Sequence, residues 1–167
     1  MSGNETVSAS GAGTSYLPEG LPVPRAETDG LSVPYWEATR EERLLVQRCR
    51  SCGGWQWGPE WICHRCLSFD LGWEEAPPHG RIFSWERAHH PVHPVLEGRG
   101  PYVTVLVELP ECGGVRMLGN LLGNPMEPVE IGTEVEAVFE HHDHPGGPYT
   151  LVQWRRKQDA DSEEERK

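Results

Sequence analysis

Four cysteines, Cys49, Cys52, Cys63 and Cys66, form two C-x-x-C pairs separated by ten residues in CRSCGGWQWGPEWICHRC. A C-x-x-C turn presents two thiolates from one tight knuckle, and two knuckles supply the four tetrahedral corners that zinc needs. Disulfides, a redox pair or an iron centre are the competing readings. Disulfides and redox pairs each require two separate explanations for a spacing that one ion covers. A shell of four thiolates leaves no position for water or substrate, so one such zinc holds structure and does no chemistry.

The other reactive side chains are less ordered in their spacing. Cys112 lies beside two glycines in an expected turn, and as a nucleophile it would need a base and an oxyanion site built around it; a plain turn thiol is the simpler reading. His89, His90 and His93 flank Pro91 in one loop, and His141, His142 and His144 flank Asp143 in another. They could hold a second metal or touch a ligand, yet no three stand at a spacing that a helix or strand ladder fixes, and solvated polar loops use the same residues. The sequence has no G-x-S-x-G elbow, no P-loop and no G-x-G-x-x-G.

The elements that must position these residues are legible around them. Ser32 can cap a short helix with Pro34 in its first turn and Tyr35, Trp36 and Thr39 at helical spacing. A strand over Arg43 to Arg48 delivers Cys49 into the first knuckle; WQWGPEW is the crossing arm, and FDLGWEE returns to the body. Trp55, Trp57, Trp61 and Trp73 crowd this module, either as a minicore or as a contact surface. Five β segments then follow: RIFSWERAHH, YVTVLVELP, VRMLGNLLG, EVEAVFEHH and YTLVQWRR. The second alternates Val103, Val105, Val107 and Leu109 on one face, and the fourth aligns Val135, Ala137 and Phe139. Five short strands with turns at ECGG, NPMEPVEIGT and HPGGP suit a small antiparallel barrel of the OB type. The expected organisation is mainly β: a tail over 1–30, a helix plus zinc ribbon over 31–76, an OB-fold over 77–157 and an acidic tail over 158–167.

Charge narrows the partners. Of the net −11, the two tails, rich in polar residues and read as disordered, supply −6. Between residues 31 and 157, twelve Lys or Arg face seventeen Asp or Glu, so the barrel lacks the basic stripe that single-stranded nucleic-acid binding needs. A local excess of arginine, Arg40, Arg43, Arg48, Arg50 and Arg65, surrounds the ribbon and could meet coenzyme A phosphates or an acidic rim on a partner. No apolar run is long enough to span a bilayer and residues 1–20 lack the form of a signal peptide, so a cytoplasmic protein is expected.

Taken in order, the helix, LVQRCRSCGG, the second C-x-x-C, HGRIFSWERAHHP, YVTVLVELPE, GNLLG and IGTEVEAVFE resemble the DUF35 family, a rubredoxin-like zinc ribbon joined to an OB-fold. The resemblance covers residues 31 to 157 and departs at Cys112-Gly113 and at the closing LVQWRRK. It implies a non-catalytic subunit of a thiolase-superfamily enzyme acting on acyl-CoA thioesters, such as an aldolase that shortens steroid side chains, with a hot-dog-fold enoyl-CoA hydratase as a possible neighbour. Contacts to the partner or to acyl-CoA are then expected from Trp55, Trp57, Trp61, Arg50, Arg65, Arg81, His89 and His90. A free-standing acyl-CoA carrier or hydrolase is disfavoured because a five-stranded barrel fills its own interior.

Overall fold

A computed structural model describes residues 20–22, 24, 29–90, 92–143 and 146–157. Most of the expected tails, and His144, lie outside the described residues. Helix α1 (Val33–Arg40) begins directly after Ser32, with Pro34 in the first turn, where its missing N–H costs nothing. Contrary to expectation, the Ser32 side chain makes no capping bond: its backbone sits at φ −93, ψ 0 and not in the extended conformation from which a serine reaches back to the helix. The helix stops where Glu42 turns left-handed at φ 58 and Arg43 N–H returns to the Ala38 carbonyl at 2.9 Å.

Strand β1 (Leu44–Cys49) is the middle of a three-stranded sheet, with β2 (Trp55–Gln56) and β3 (Leu71–Ala76) antiparallel on either side. The five remaining strands, β4 (His79–Ala88), β5 (Tyr102–Leu109), β6 (Val115–Asn120), β7 (Glu134–His142) and β8 (Tyr149–Arg156), form a second sheet in the order β6-β5-β4-β7-β8. Every expected β segment is a strand. The alternation in β5 holds throughout, with Val103, Val105, Val107 and Leu109 all buried. Phe83 is the extra residue of a bulge between Ile82 and Ser84, which shifts the register against β5.

Three contacts nearly close this sheet into a barrel. Leu121 pairs in parallel with Trp154, and Leu122 N–H bonds the Trp154 carbonyl at 2.7 Å. Gln153 bridges the same seam, its Oε1 accepting from Asn120 N–H at 2.8 Å and its Nε2 donating to Glu140 Oε2 at 2.9 Å. Inside, fully buried Trp154 lies against Gly119, where an added Cβ would meet Trp154 Cδ1 at 2.7 Å. Gly80 serves the β4–β5 approach in the same way, since a Cβ there would lie 2.4 Å from the Glu108 carbonyl. The core is continuous from Tyr35 on α1, through Leu44 and Val46 of the ribbon, to the barrel interior. No described helix is long and apolar enough to cross a membrane.

Candidate metal centre and contact surface

Two similar turns build the metal centre. In the first, Cys49 N–H bonds the Gly54 carbonyl and Gly53 N–H bonds the Cys49 carbonyl, both at 2.8 Å. In the second, Cys63 N–H bonds the Ser68 carbonyl at 2.9 Å and Leu67 N–H bonds the Cys63 carbonyl at 3.0 Å. Each turn needs a left-handed residue after its second cysteine: Gly53 at φ 70 and Leu67 at φ 61. The four Sγ atoms lie within 4.8 Å of one another, Cys49 to Cys66 at 3.6 Å and Cys52 to Cys63 at 3.7 Å. Zn–S bonds of about 2.3 Å at tetrahedral angles place neighbouring sulfurs about 3.8 Å apart, so donor type and spacing both fit zinc.

Electrostatics point the same way. Backbone N–H groups of Cys66 and Arg65 pull the Cys63 thiol down to about 6. Cys66 is pushed up to about 12: the N–H from Ser68 works to lower it and is outweighed by the thiols of Cys52, Cys49 and Cys63 together with desolvation. Four thiols this close cannot all ionise without a cation among them, and a bound divalent ion supplies that charge while tying the two knuckles together.

A feature that the sequence reading missed fixes the second knuckle. Gln47 on β1 and Gln56 on β2 are cross-strand partners and are only 2% and 4% exposed. Gln47 Oε1 accepts from Gln56 Nε2 and from Glu60 N–H, each at 3.0 Å, while Gln47 Nε2 donates to the Glu60 carbonyl at 3.1 Å. Gln56 Nε2 also donates to the Ile62 carbonyl at 3.3 Å, and Gln56 Oε1 accepts from His64 N–H at 3.0 Å. The arm from residue 60 to 64, which has no strand of its own, is thereby hung on two buried amides.

The proposed contact residues do not converge on one place. Trp55 opens β2 and Trp57 directly follows it; both are half-buried and pack against the core. Trp57 meets Tyr35 edge-on at 4.9 Å, and Trp55 lies over Gly113 of the barrel hairpin, with the Arg48 guanidinium 5.1 Å above its ring. Trp61 is exposed. Of the ribbon arginines, Arg43 pairs with Glu75 at 2.9 Å, Arg48 with Glu74 at 2.9 Å and Arg50 with Asp70 at 3.5 Å. Arg65 has no carboxylate within ion-pair distance among the described residues, and its stem runs over Gly54, where a Cβ would lie 2.6 Å from Arg65 Cδ.

On the barrel, Arg81 pairs with Glu134 at 3.5 Å beside a cleft of about 210 Å³ that His79, Pro110, Glu111 and Lys157 also line. Exposed His89 and His90 follow the opposite end of β4, eight or nine residues along the chain from Arg81. Arg116, Arg155 and Arg156 each face a carboxylate, Glu108, Glu136 and Glu127 respectively.

His141 and His142 stand on strand β7, not in the loop, and alternation sends them to opposite faces. His141 lies 3.3 Å from Glu42 and 3.0 Å from the Thr150 hydroxyl, whereas His142 lies 2.9 Å from Glu140 and stacks on Tyr149. Among the described residues, the four cysteines are the sole group placed to hold a metal. Cys112 is a buried core residue at the end of a 3-10 turn (Pro110–Cys112); burial, then Glu111, raises its pKa and keeps the thiol neutral.

The chain matches the rubredoxin-like zinc ribbon domain of ChsH2 over residues 36–72 and the C-terminal OB-fold domain of ChsH2 over residues 73–140. A DUF35 domain-containing scaffold protein of Methanocaldococcus jannaschii is 32% identical over 115 residues, which make up 66% of this chain and 78% of that one. This chain belongs to the DUF35 family. Among solved structures, the Ltp2-ChsH2(DUF35) aldolase contains a chain 35% identical, with a TM-score of 0.66, covering 80% of this DUF35 chain and 98% of that chain. A DUF35-family protein of unknown function from Sulfolobus solfataricus, 12% identical with a TM-score of 0.53, shares the fold over 76% of this chain and 85% of its own. A probable enoyl-CoA hydratase alpha subunit of Thermomonospora curvata is 39% identical over 122 residues, 73% of this chain. The DUF35 chain spans only 37% of that relative's length.

Proposed function

We propose that this DUF35 chain is a non-catalytic, zinc-bearing subunit of a thiolase-superfamily complex acting on acyl-CoA thioesters, and that the complex is an aldolase cleaving carbon-carbon bonds in steroid or lipid side chains. The observation that carries the reading is the match to the Ltp2-ChsH2(DUF35) aldolase, which extends over 98% of that structure's DUF35 chain at 35% identity. The chemistry of the described residues agrees. The zinc ligand set is closed, Cys112 is a neutral core thiol, and His141 and His142 lie against carboxylates. Retro-aldol cleavage of a β-hydroxyacyl-CoA needs a base for the hydroxyl proton and a means of stabilising the thioester enolate that leaves. Those groups belong to the partner, while the ribbon, residues 31–76, docks it and strands β4 and β5 of the OB-fold, residues 77–157, help wall the acyl channel. The hydratase-named relative supports a hydratase as a further neighbour, and the compartment proposed for the complex is the cytoplasm.

The test is reconstitution. The thiolase-superfamily protein recovered with this chain is assayed on a β-hydroxyacyl-CoA with and without the DUF35 subunit. Cleavage that requires both chains is expected; undiminished cleavage by the partner alone overturns the proposal.

A further inference from the structure

We propose that the second zinc knuckle is the surface through which the ribbon grips its partner. Trp61, Leu67 and Phe69 provide the apolar contacts, and Arg65 is the cation that meets a carboxylate on the thiolase-superfamily subunit. The inference rests on the function proposed above and adds where the partner sits and what its groove is made of.

Leu67 is the first reason. It occupies φ 61, the left-handed region that a Cβ disfavours, at the position that Gly53 fills in the equivalent turn. Leu67 is 67% exposed, so among the described residues the turn's own backbone bonds, and not side-chain packing, hold it there. Backbone strain retained to present an exposed leucine points to a contact outside the chain.

Within the helix and ribbon, the aromatic side chains sort the same way. Trp36, Trp55, Trp57 and Trp73 all pack on the core, whereas Trp61 and Phe69, which bracket this knuckle, are 57% and 78% exposed. Large rings of this kind are the usual anchors of protein interfaces.

Charge then selects the partner. Among the arginines that follow α1 in the ribbon, Arg43, Arg48 and Arg50 are neutralised by carboxylates of β3 or of its connection, but Arg65 meets none among the described residues, and its stem lies over Gly54. A positioned arginine amid exposed apolar side chains suits an apolar groove bordered by a carboxylate. Single-stranded nucleic acid also uses rings and arginine, but an aliphatic side chain at the apex offers no stacking, and a net charge of −11 opposes a polyanion.

The test uses the full-length chain and the thiolase-superfamily protein that copurifies with it. The double variant L67G/F69S is expected to weaken the complex at least tenfold in calorimetric titration while retaining one zinc per chain by elemental analysis. R65E is expected to weaken it in a salt-dependent manner, and L67G alone to raise the thermal midpoint of the isolated chain. Wild-type affinity in the double variant, with the partner present, overturns the docking surface and leaves the proposed function standing. A lowered midpoint for L67G contradicts the strain argument. If the wild-type chain recovers no thiolase-superfamily protein, the proposed function itself fails and takes this occupant with it. Binding of poly(dT) that the same variants abolish would then assign the surface to nucleic acid.

Discussion

Replacing Gln56 with leucine removes three hydrogen bonds from the ribbon without opening a large void, because the two side chains are close in volume. The bonds lost run to Gln47 Oε1 at 3.0 Å, to the Ile62 carbonyl at 3.3 Å and from His64 N–H at 3.0 Å. Gln47 keeps its own two bonds to Glu60, so the groups left without partners are the backbone atoms of Ile62 and His64, on either side of Cys63. An unsatisfied buried polar group costs about 1–3 kcal/mol. Both atoms are partly buried, so water offsets some of the loss, and about 2 kcal/mol in total is the expected order. The second knuckle is the structure that these bonds hold, so the loss should appear in metal binding, as about a 30-fold weaker zinc affinity. Competition with a chromophoric chelator measures this directly, and cobalt substitution reports whether the four-thiolate geometry survives. A Q56L chain that holds zinc within twofold of wild type and melts at the same temperature would refute the view that the glutamine pair positions the knuckle.

The alanine substitution at Gly119 should destabilise the barrel by about 1–3 kcal/mol in denaturant titration, because the new methyl meets the Trp154 ring and the Val152 carbonyl. Burial pushes the Tyr35 phenol well above its ordinary value of about 10, so the folded chain keeps a proton that the unfolded chain releases. Stability contributed by neutral Tyr35 is therefore complete below about pH 10 and falls as pH rises beyond it, by at most about 1.4 kcal/mol per pH unit; Y35F should remove that slope in alkaline melts. In native protein carrying its metal, Cys112 should resist iodoacetamide at neutral pH and react only on unfolding, as read by mass spectrometry. Arg87, whose guanidinium bonds the Pro125 carbonyl at 2.6 Å and the Glu127 carbonyl at 2.8 Å, should on replacement by methionine speed amide exchange across residues 124–128 and leave the ribbon unchanged.

The ribbon and the barrel were legible for different reasons. Metal-ligand spacing is a local constraint, and two C-x-x-C pairs write it directly into the chain. In β5, strict alternation reports a face that water never reaches. The glutamine pair left no such mark: Gln47 interrupts the apolar run LLVQRC as a polar strand residue, and its burial depends on an arm thirteen residues away in sequence. The tryptophans show the same limit. Trp55, Trp57 and Trp61 look alike in sequence, but the first two, in β2 and directly after it, pack against the core, whereas Trp61 is exposed on the arm beyond. His141 and His142 flank Asp143 in a stretch that looks like loop in sequence, but strand β7 runs through both and separates them by its pleat. Arginine excess around the ribbon overstated the free positive charge, because cross-strand acids on β3 neutralise Arg43 and Arg48.

The central claim, that this DUF35 chain works as a subunit of a thiolase-superfamily complex, is tested most directly by affinity purification of the full-length chain from its native host at moderate salt. The co-eluting proteins would be identified and their stoichiometry measured by mass spectrometry. A thiolase-superfamily protein in stoichiometric amount is the predicted result. Recovery of nucleic acid or ribosomal proteins, without such a partner, would contradict the account.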